Sequence, residues 1–226
     1  MDDDAPLDDL DALVRQVDPD RWMASRFIAD PRARADVVAL LAFDHELARA
    51  PRVASNPLIG EMRLAWWREA LEEIFEGRPI RRHPTALALA ETVARRNLRR
   101  DALEALIDAR YRELDASPMD EKEALAWARD TGGIVAELAA AILDPSAEAV
   151  RARAAGSAWA LGRKAAEAPA LRPVFQRALA GARTAVKGLS PDAFPAAAHA
   201  SLAGRAHRSA LGKRLRLTWA VARGRI

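Results

Sequence analysis

The chain has 226 residues, half of them hydrophobic but only 5% aromatic, with no cysteine and four histidines. That length allows one large domain or two small ones; the lack of thiols excludes disulfides, thiolate metal sites and a cysteine nucleophile, and four scattered histidines make a poor histidine metal set. The formal net charge of +3 is unevenly spread: from residue 147 onward fifteen Lys/Arg stand against Glu148, Glu167 and Asp192, leaving the first 146 residues net acidic. A basic end of this kind points to an anionic partner, whether acidic lipid head groups, nucleic acid or an acidic protein face. No run approaches the ~20 apolar residues of a spanning helix. The acidic start, Asp2-Asp3-Asp4, lacks the apolar core of a secretory signal, so a cytoplasmic protein is expected.

Alanine, leucine, arginine and glutamate, all strong helix formers, dominate, and no alternating β-branched run occurs, so the fold class is all-α. Residues 1–18 are acidic with a weak apolar repeat at Leu7, Leu10, Leu13, Val14 and Val17, which reads either as a short helix or as a disordered acidic arm. Residues 19–226 read as a single helical domain. Asp18-Pro19-Asp20 opens a helix carrying Trp22, Phe27 and Ile28. Asp30-Pro31 opens the next, with aspartate as N-cap and proline at the first helical position. It is expected to run to about Arg49 and to end at Pro51. Ser55-Asn56-Pro57 caps the following helix, which Gly77 and Pro79 stop.

These two helices form a hairpin. In the first, Val37, Leu40, Leu41, Leu47 and Ala48 recur at the helical period; in the second, Ile59, Met62, Trp66, Ala70 and Ile74 do so, widened by Trp67, Leu71 and Phe75. Asp44 and Arg63 each interrupt an apolar stripe, and a charge there must be paired or face a cavity. The expectation is an Asp44–Arg63 ion pair between antiparallel neighbours, or a polar-mouthed pocket lined by both.

Further on, His83-Pro84 opens a helix with Ala86, Leu87, Leu89, Ala90 and Val93 apolar, and the chain bends near Asn97. Residues 101–115 form a helix with Leu103, Leu106, Ile107 and Leu114 inward, its charges read as solvated. The unit at 121–143 contains Thr131-Gly132-Gly133, which marks a kink or a close approach of backbone. After Asp144-Pro145 come helices at 147–168, 174–186 and 196 to about 223.

Three segments carry a family resemblance: Leu41-Ala42-Phe43 running into Asp44-His45-Glu46-Leu47-Ala48-Arg49, then Trp66-Trp67-Arg68-Glu69-Ala70-Leu71, then Ile107 to Leu114. Together they resemble the squalene/phytoene synthase family over roughly residues 20–162, most closely a divergent branch that includes assembly factors for respiratory complex I. The resemblance implies an isoprenoid-synthase-like helical bundle, shortened at its C-terminal end, with a prenyl-chain cavity beside Gly132-Gly133. It also implies aspartate clusters on two helices that hold magnesium against a diphosphate, since magnesium needs carboxylate and water oxygens. Here Ala48 and Arg49 occupy the positions after Phe43 where paired aspartates are expected, and Asp44 and Glu46 are two residues apart, pointing away from one another on a helix. The second helix offers only Glu148 and Glu167, with Arg163 and Lys164 between.

Two readings follow. The first is a non-catalytic synthase-like protein, without cofactor, that assists assembly of a membrane respiratory complex or binds an isoprenoid. The second is a head-to-head prenyltransferase with a displaced magnesium site. A nucleic-acid module is set aside, because neither a helix-turn-helix nor an aromatic stacking platform is present. The pocket or ligand candidates are Phe43, Asp44, Glu46, Arg63, Trp67, Gly132, Gly133 and Arg163. On the last helix, Lys213, Arg214, Arg216 and Trp219 around Leu215, Leu217 and Val221 suit contact with an anionic membrane, which would place the protein peripherally on the inner membrane. The alternative is a helix whose apolar side closes the bundle.

Overall fold

The structure, a computed structural model, describes residues 5–52, 56–204 and 209–226, with side chains from Leu10 onward. Among these residues the chain is helical, without strands. Helix α1 spans Ala5–Val17 and buries Leu10 and Val14. Asp18 caps α2 (Pro19–Ser25), its Oδ1 accepting from Arg21 N at 3.2 Å. Helix α3 runs Pro31–Arg52; it continues through Pro51 rather than stopping near Arg49, because a proline in the last turn forfeits little of the hydrogen-bond ladder. Ser55 lies outside the described residues. Asn56 caps α4 (Pro57–Phe75) by accepting from Leu58 N at 3.0 Å.

Helix α5 (Pro84–Arg96) ends at Asn97, which takes the left-handed conformation at φ +50° and so makes the bend expected there. Helix α6 (Arg100–Tyr111) passes through a short turn, Arg112–Leu114. Asp120 and Glu123 form a capping box on α7 (Glu121–Ala128). A π-helical segment, Arg129–Gly133, joins α7 to α8 (Ile134–Leu143), and α9 (Val150–Glu167) and α10 (Arg172–Ala185) follow.

The single last helix expected at 196–223 is instead divided. A short α11 (Pro195–Ala198) and a 3-10 turn end at Ala203-Gly204, where Gly204 adopts φ +66°; α12 (Ala210–Arg223) then starts at Ser209, whose Oγ accepts from Gly212 N at 3.1 Å.

Helix α3 forms the axis. It touches α1, α4, α5, α6 and α8, and it is buried along most of its length from Val37 to Leu47, as a helix apolar on nearly every side must be. A second buried carboxylate, Asp36, fastens α3 to α5: Arg95 and Thr92 donate to Oδ1, and Arg96 Nε donates to Oδ2 at 2.6 Å. The sequence pattern misplaced the inward face of α4. Gly60, Leu64, Trp67, Ala70 and Leu71 are buried, whereas Ile59, Met62 and Arg63 face outward.

Helix α9 is the second organiser, packed on α7, α8, α10 and the π segment. The contact depends on glycine. A Cβ on Gly156 would lie 2.0 Å from the carbonyl oxygen of Gly132, and one on Gly132 would lie 2.7 Å from that of Gly156. The Thr131-Gly132-Gly133 interruption is therefore a close backbone approach with one wider helical turn, a device common beside functional sites.

Since both clashing atoms belong to backbone, Gly156→Ala should destabilise the protein by about 3 kcal/mol or more. Gly181→Ala, in α10 with nothing within 4 Å of the added Cβ, should instead stabilise it by about 0.5–1 kcal/mol. Chemical denaturation of the two variants tests this contrast.

Candidate functional site

Between the C-terminal halves of α3, α6 and α9, the start of α2 and the π segment lies an open cavity of about 530 Å³. Its floor is an alternating chain of charges. Asp44, 3% exposed on α3, accepts from Arg21 Nη2 through Oδ2 at 2.6 Å and from Arg110 Nη2 through Oδ1. Arg21 also donates to Asp18, and Arg110 Nη1 donates to Glu113 Oε1 at 2.6 Å. Trp127 Nε1 donates to the same Glu113 oxygen at 2.9 Å. Arg163 extends the chain outward, with Nη1 4.0 Å from Asp18 Oδ2. The Trp159 ring carries the guanidinium groups of Arg21 and Arg163 at 4.6 and 4.9 Å from its centroid, and His199 meets it edge-on.

The expected Asp44–Arg63 pair does not form. Arg63 is exposed on α4, and the partners of Asp44 come from α2 and α6, which no hairpin reading would reach. Burial by itself pushes the Asp44 carboxyl upward, but Arg110 and Arg21 outweigh it and hold the group far below the usual carboxylate range. Burial likewise opposes the Arg21 and Arg110 cations, and their acidic neighbours more than restore them.

Of the candidate residues, Asp44, Gly132 and Arg163 line this cavity. Phe43 and Trp67 lie instead in the core, their rings 5.3 Å apart in an edge-to-face contact with Trp67 also against His83. Gly133 packs on Ser157 and Arg153 of α9. Glu46 points away from Asp44 and stands 3.8 Å from Arg49. On α12, Lys213 binds Asp20 at 2.6 Å, Arg216 reaches Ser201 O at 3.4 Å and stacks on Trp219, and Arg214 and Trp219 are exposed.

Sequence reasoning missed Arg21, Asp18, Arg110, Glu113, Trp127 and Trp159. For Arg110 a signal existed: it continues the Leu103, Ile107 stripe and is buried like its predecessors.

The donor set does not suit a metal ion. Among the described residues no group of three or more His, Cys, Asp or Glu side chains is placed to hold one. The deepest carboxylate of this cavity, Asp44, already accepts from guanidinium groups through both oxygens.

Two outcomes follow. Asp44→Ala, which strands two buried guanidinium groups, should cost about 3–5 kcal/mol, whereas Arg63→Ala should change stability by no more than about 0.5 kcal/mol; urea denaturation separates them. His199 should shape the acid limb. Burial, then Arg21, lowers its pKa from 6.5 to about 3. Below pH 6.5 the unfolded chain binds a proton that the folded chain refuses, so stability falls as pH drops from 6.5 towards 3. The slope approaches about 1.4 kcal/mol per pH unit. His199→Gln should flatten the stability–pH curve in that window.

The fold as a whole has solved counterparts. A dehydrosqualene synthase superposes over 97% of this chain and 96% of its own, with a TM-score of 0.78 and 12% identity. The squalene synthase HpnC from Alicyclobacillus acidocaldarius covers 97% and 94%, with a TM-score of 0.68 and 16% identity. At these identities the likeness shows the fold alone. In sequence, the chain is 33% identical to NADH dehydrogenase (ubiquinone) complex I, assembly factor 6 of Homo sapiens over 103 residues, and 34% identical to that of Rattus norvegicus. The match takes in 46% of this chain but only 30% of the length of either relative. The sequence profile of squalene/phytoene synthases matches residues 14–163. The helical bundle, its α3–α4 signature and this match together place the chain in the squalene/phytoene synthase family.

Proposed function

We propose that this protein is a non-catalytic family member, needing no magnesium, that retains an apolar ligand with an anionic head, such as an isoprenoid diphosphate, and assists assembly of a membrane respiratory complex. One observation carries the loss of catalysis: Asp44, the carboxylate in the signature segment, is sequestered between Arg21 and Arg110. Ionising an allylic diphosphate requires metal cations against the leaving group, and a buried carboxylate whose two oxygens are each held by a guanidinium group is already charge-balanced and poorly placed to take a cation as well. The other acidic side chains on the cavity wall are engaged as well: Asp18 by Arg21, Glu113 by Arg110 and Trp127, Asp115 by Ser117, and Glu167 by Lys164. These engagements favour the reading without magnesium over the one with a displaced magnesium site.

Binding is supported by what the same wall offers. Arg21 Nη1 is buried there without a hydrogen-bond partner, and Arg163 is half exposed at the mouth. Guanidinium groups so placed match the oxygens of a phosphate. Met119, Trp127, Trp159 and Leu171 supply the apolar surface, and the volume falls within the usual range for a small-molecule site.

The assembly role comes from the named function of the two mammalian relatives and from the segment shared with them. No described helix is long and apolar enough to cross a membrane, so the proposed work site is the surface of the membrane that holds the complex.

The test has two arms. A non-hydrolysable prenyl thiodiphosphate should quench tryptophan fluorescence equally with magnesium or with EDTA, and Arg163→Ala should weaken it about tenfold, the loss of one charge-assisted contact. Farnesyl or geranylgeranyl diphosphate should release no diphosphate when magnesium is added; magnesium-stimulated release would overturn the proposal. In cells, deleting the gene should leave respiratory complex I arrested as subcomplexes on native gels.

A further inference from the structure

A second cleft, of about 330 Å³, lies between the α1–α2 corner and the start of α12. Trp22 and Met23 form its floor, and Arg15, Lys213 and Arg214 stand around it. Lys213 is neutralised by Asp20 at 2.6 Å. Arg15 and Arg214 have no acidic partner among the described residues; Arg15 rests over the Trp22 ring at 5.1 Å, and both guanidinium groups face solvent.

The outer face of α12 continues from this cleft. Leu211, Leu215 and Trp219, spaced four residues apart, form one stripe and are 66%, 63% and 44% exposed. The inward face of the helix is Leu217 and Ala220 instead, so the stripe is surplus to closing the bundle. Helical spacing sets Arg214 on one flank of the stripe and Arg216 and Arg223 on the other. No aspartate or glutamate occurs from residue 193 to residue 226.

We propose that this face binds the surface of an anionic phospholipid bilayer: Leu211, Leu215 and Trp219 enter the head-group boundary, and the cleft receives a lipid phosphate between the Arg15 and Arg214 guanidinium groups. The inference rests on the peripheral-membrane part of the proposed function and is independent of the cavity. An apolar stripe with cations on both flanks fits an interfacial helix, and tryptophan suits the boundary between acyl chains and water. A second copy of the chain fits poorly, because the α12 face carries arginines on both flanks and no acidic residue of its own, so two such faces repel one another. Nucleic acid would leave the exposed leucines without an apolar partner.

Flotation of the full-length protein with vesicles tests the inference. It should float with vesicles containing phosphatidylglycerol, less so as salt rises, and remain behind with phosphatidylcholine alone. Arg15→Glu and Arg214→Glu should each lower affinity about tenfold, and Leu215→Glu should abolish flotation, all with unchanged melting temperature and unchanged prenyl thiodiphosphate binding. Flotation that survives both arginine reversals would overturn the phosphate cleft while leaving peripheral attachment standing. Absence of flotation would overturn both, leaving the cavity reading intact. Self-association cured by Leu215→Glu, or duplex DNA binding in place of lipid binding, would also overturn it.

Discussion

Asp44 is the constraint on which the rest of the structure depends. A carboxylate this deep costs several kcal/mol to desolvate, and it is tolerated because Arg21 and Arg110 converge on its two oxygens from different helices. Those arginines are themselves buried, so each needs a further anion: Asp18 for the first, Glu113 for the second. The chain of alternating charge therefore ties α2, α3 and α6 into one arrangement, and Trp159 joins α9 to it through Arg21. Buried ion pairs of this kind contribute little net stability over an apolar core. What they do contribute here is position, because displacing any one helix strands a charge.

The same constraint separates fold from chemistry. Helix packing here relies on apolar stripes and small residues, as at Gly132 against Gly156, and neither requires a metal. A cavity can persist after its carboxylates have been turned inward to guanidinium groups, which is why function must be read from the site and not from the bundle around it. The wall presents guanidinium groups and aromatic faces beside those carboxylates, and under the proposed function that surface holds an anionic head.

Charge is also divided in space. Around the cavity, acidic and basic side chains alternate and nearly cancel, whereas the segment containing α12 has no acidic residue of its own, and Lys213 there is matched by Asp20. The first arrangement is specific and buried; the second is diffuse and exposed, acting over about a Debye length. Under the two proposals they serve different partners, a bound small molecule in one case and an extended anionic surface in the other.

The sequence by itself determined the helical class, most helix boundaries and the family, because caps, prolines and apolar periodicity are local signals. Asp18, Asp30, Asn56 and Asn97 each act within a few residues of where they stand. It also marked Asp44 as a charge out of place and Gly132-Gly133 as a kink or a close approach. The tertiary structure alone decided which charges meet. Arg63 lies near Asp44 in the hairpin but swings outward, because the buried face of α4 follows Gly60, Leu64, Trp67 and Leu71. The true partners stand 23 and 66 residues away along the chain. Burial of a long cationic side chain depends on the rotation of its helix about its own axis, and a periodic pattern of apolar residues fixes that rotation only to within about one position. The alternation of acid and base on the cavity floor could be seen only once α2, α3, α6 and α9 had been packed together.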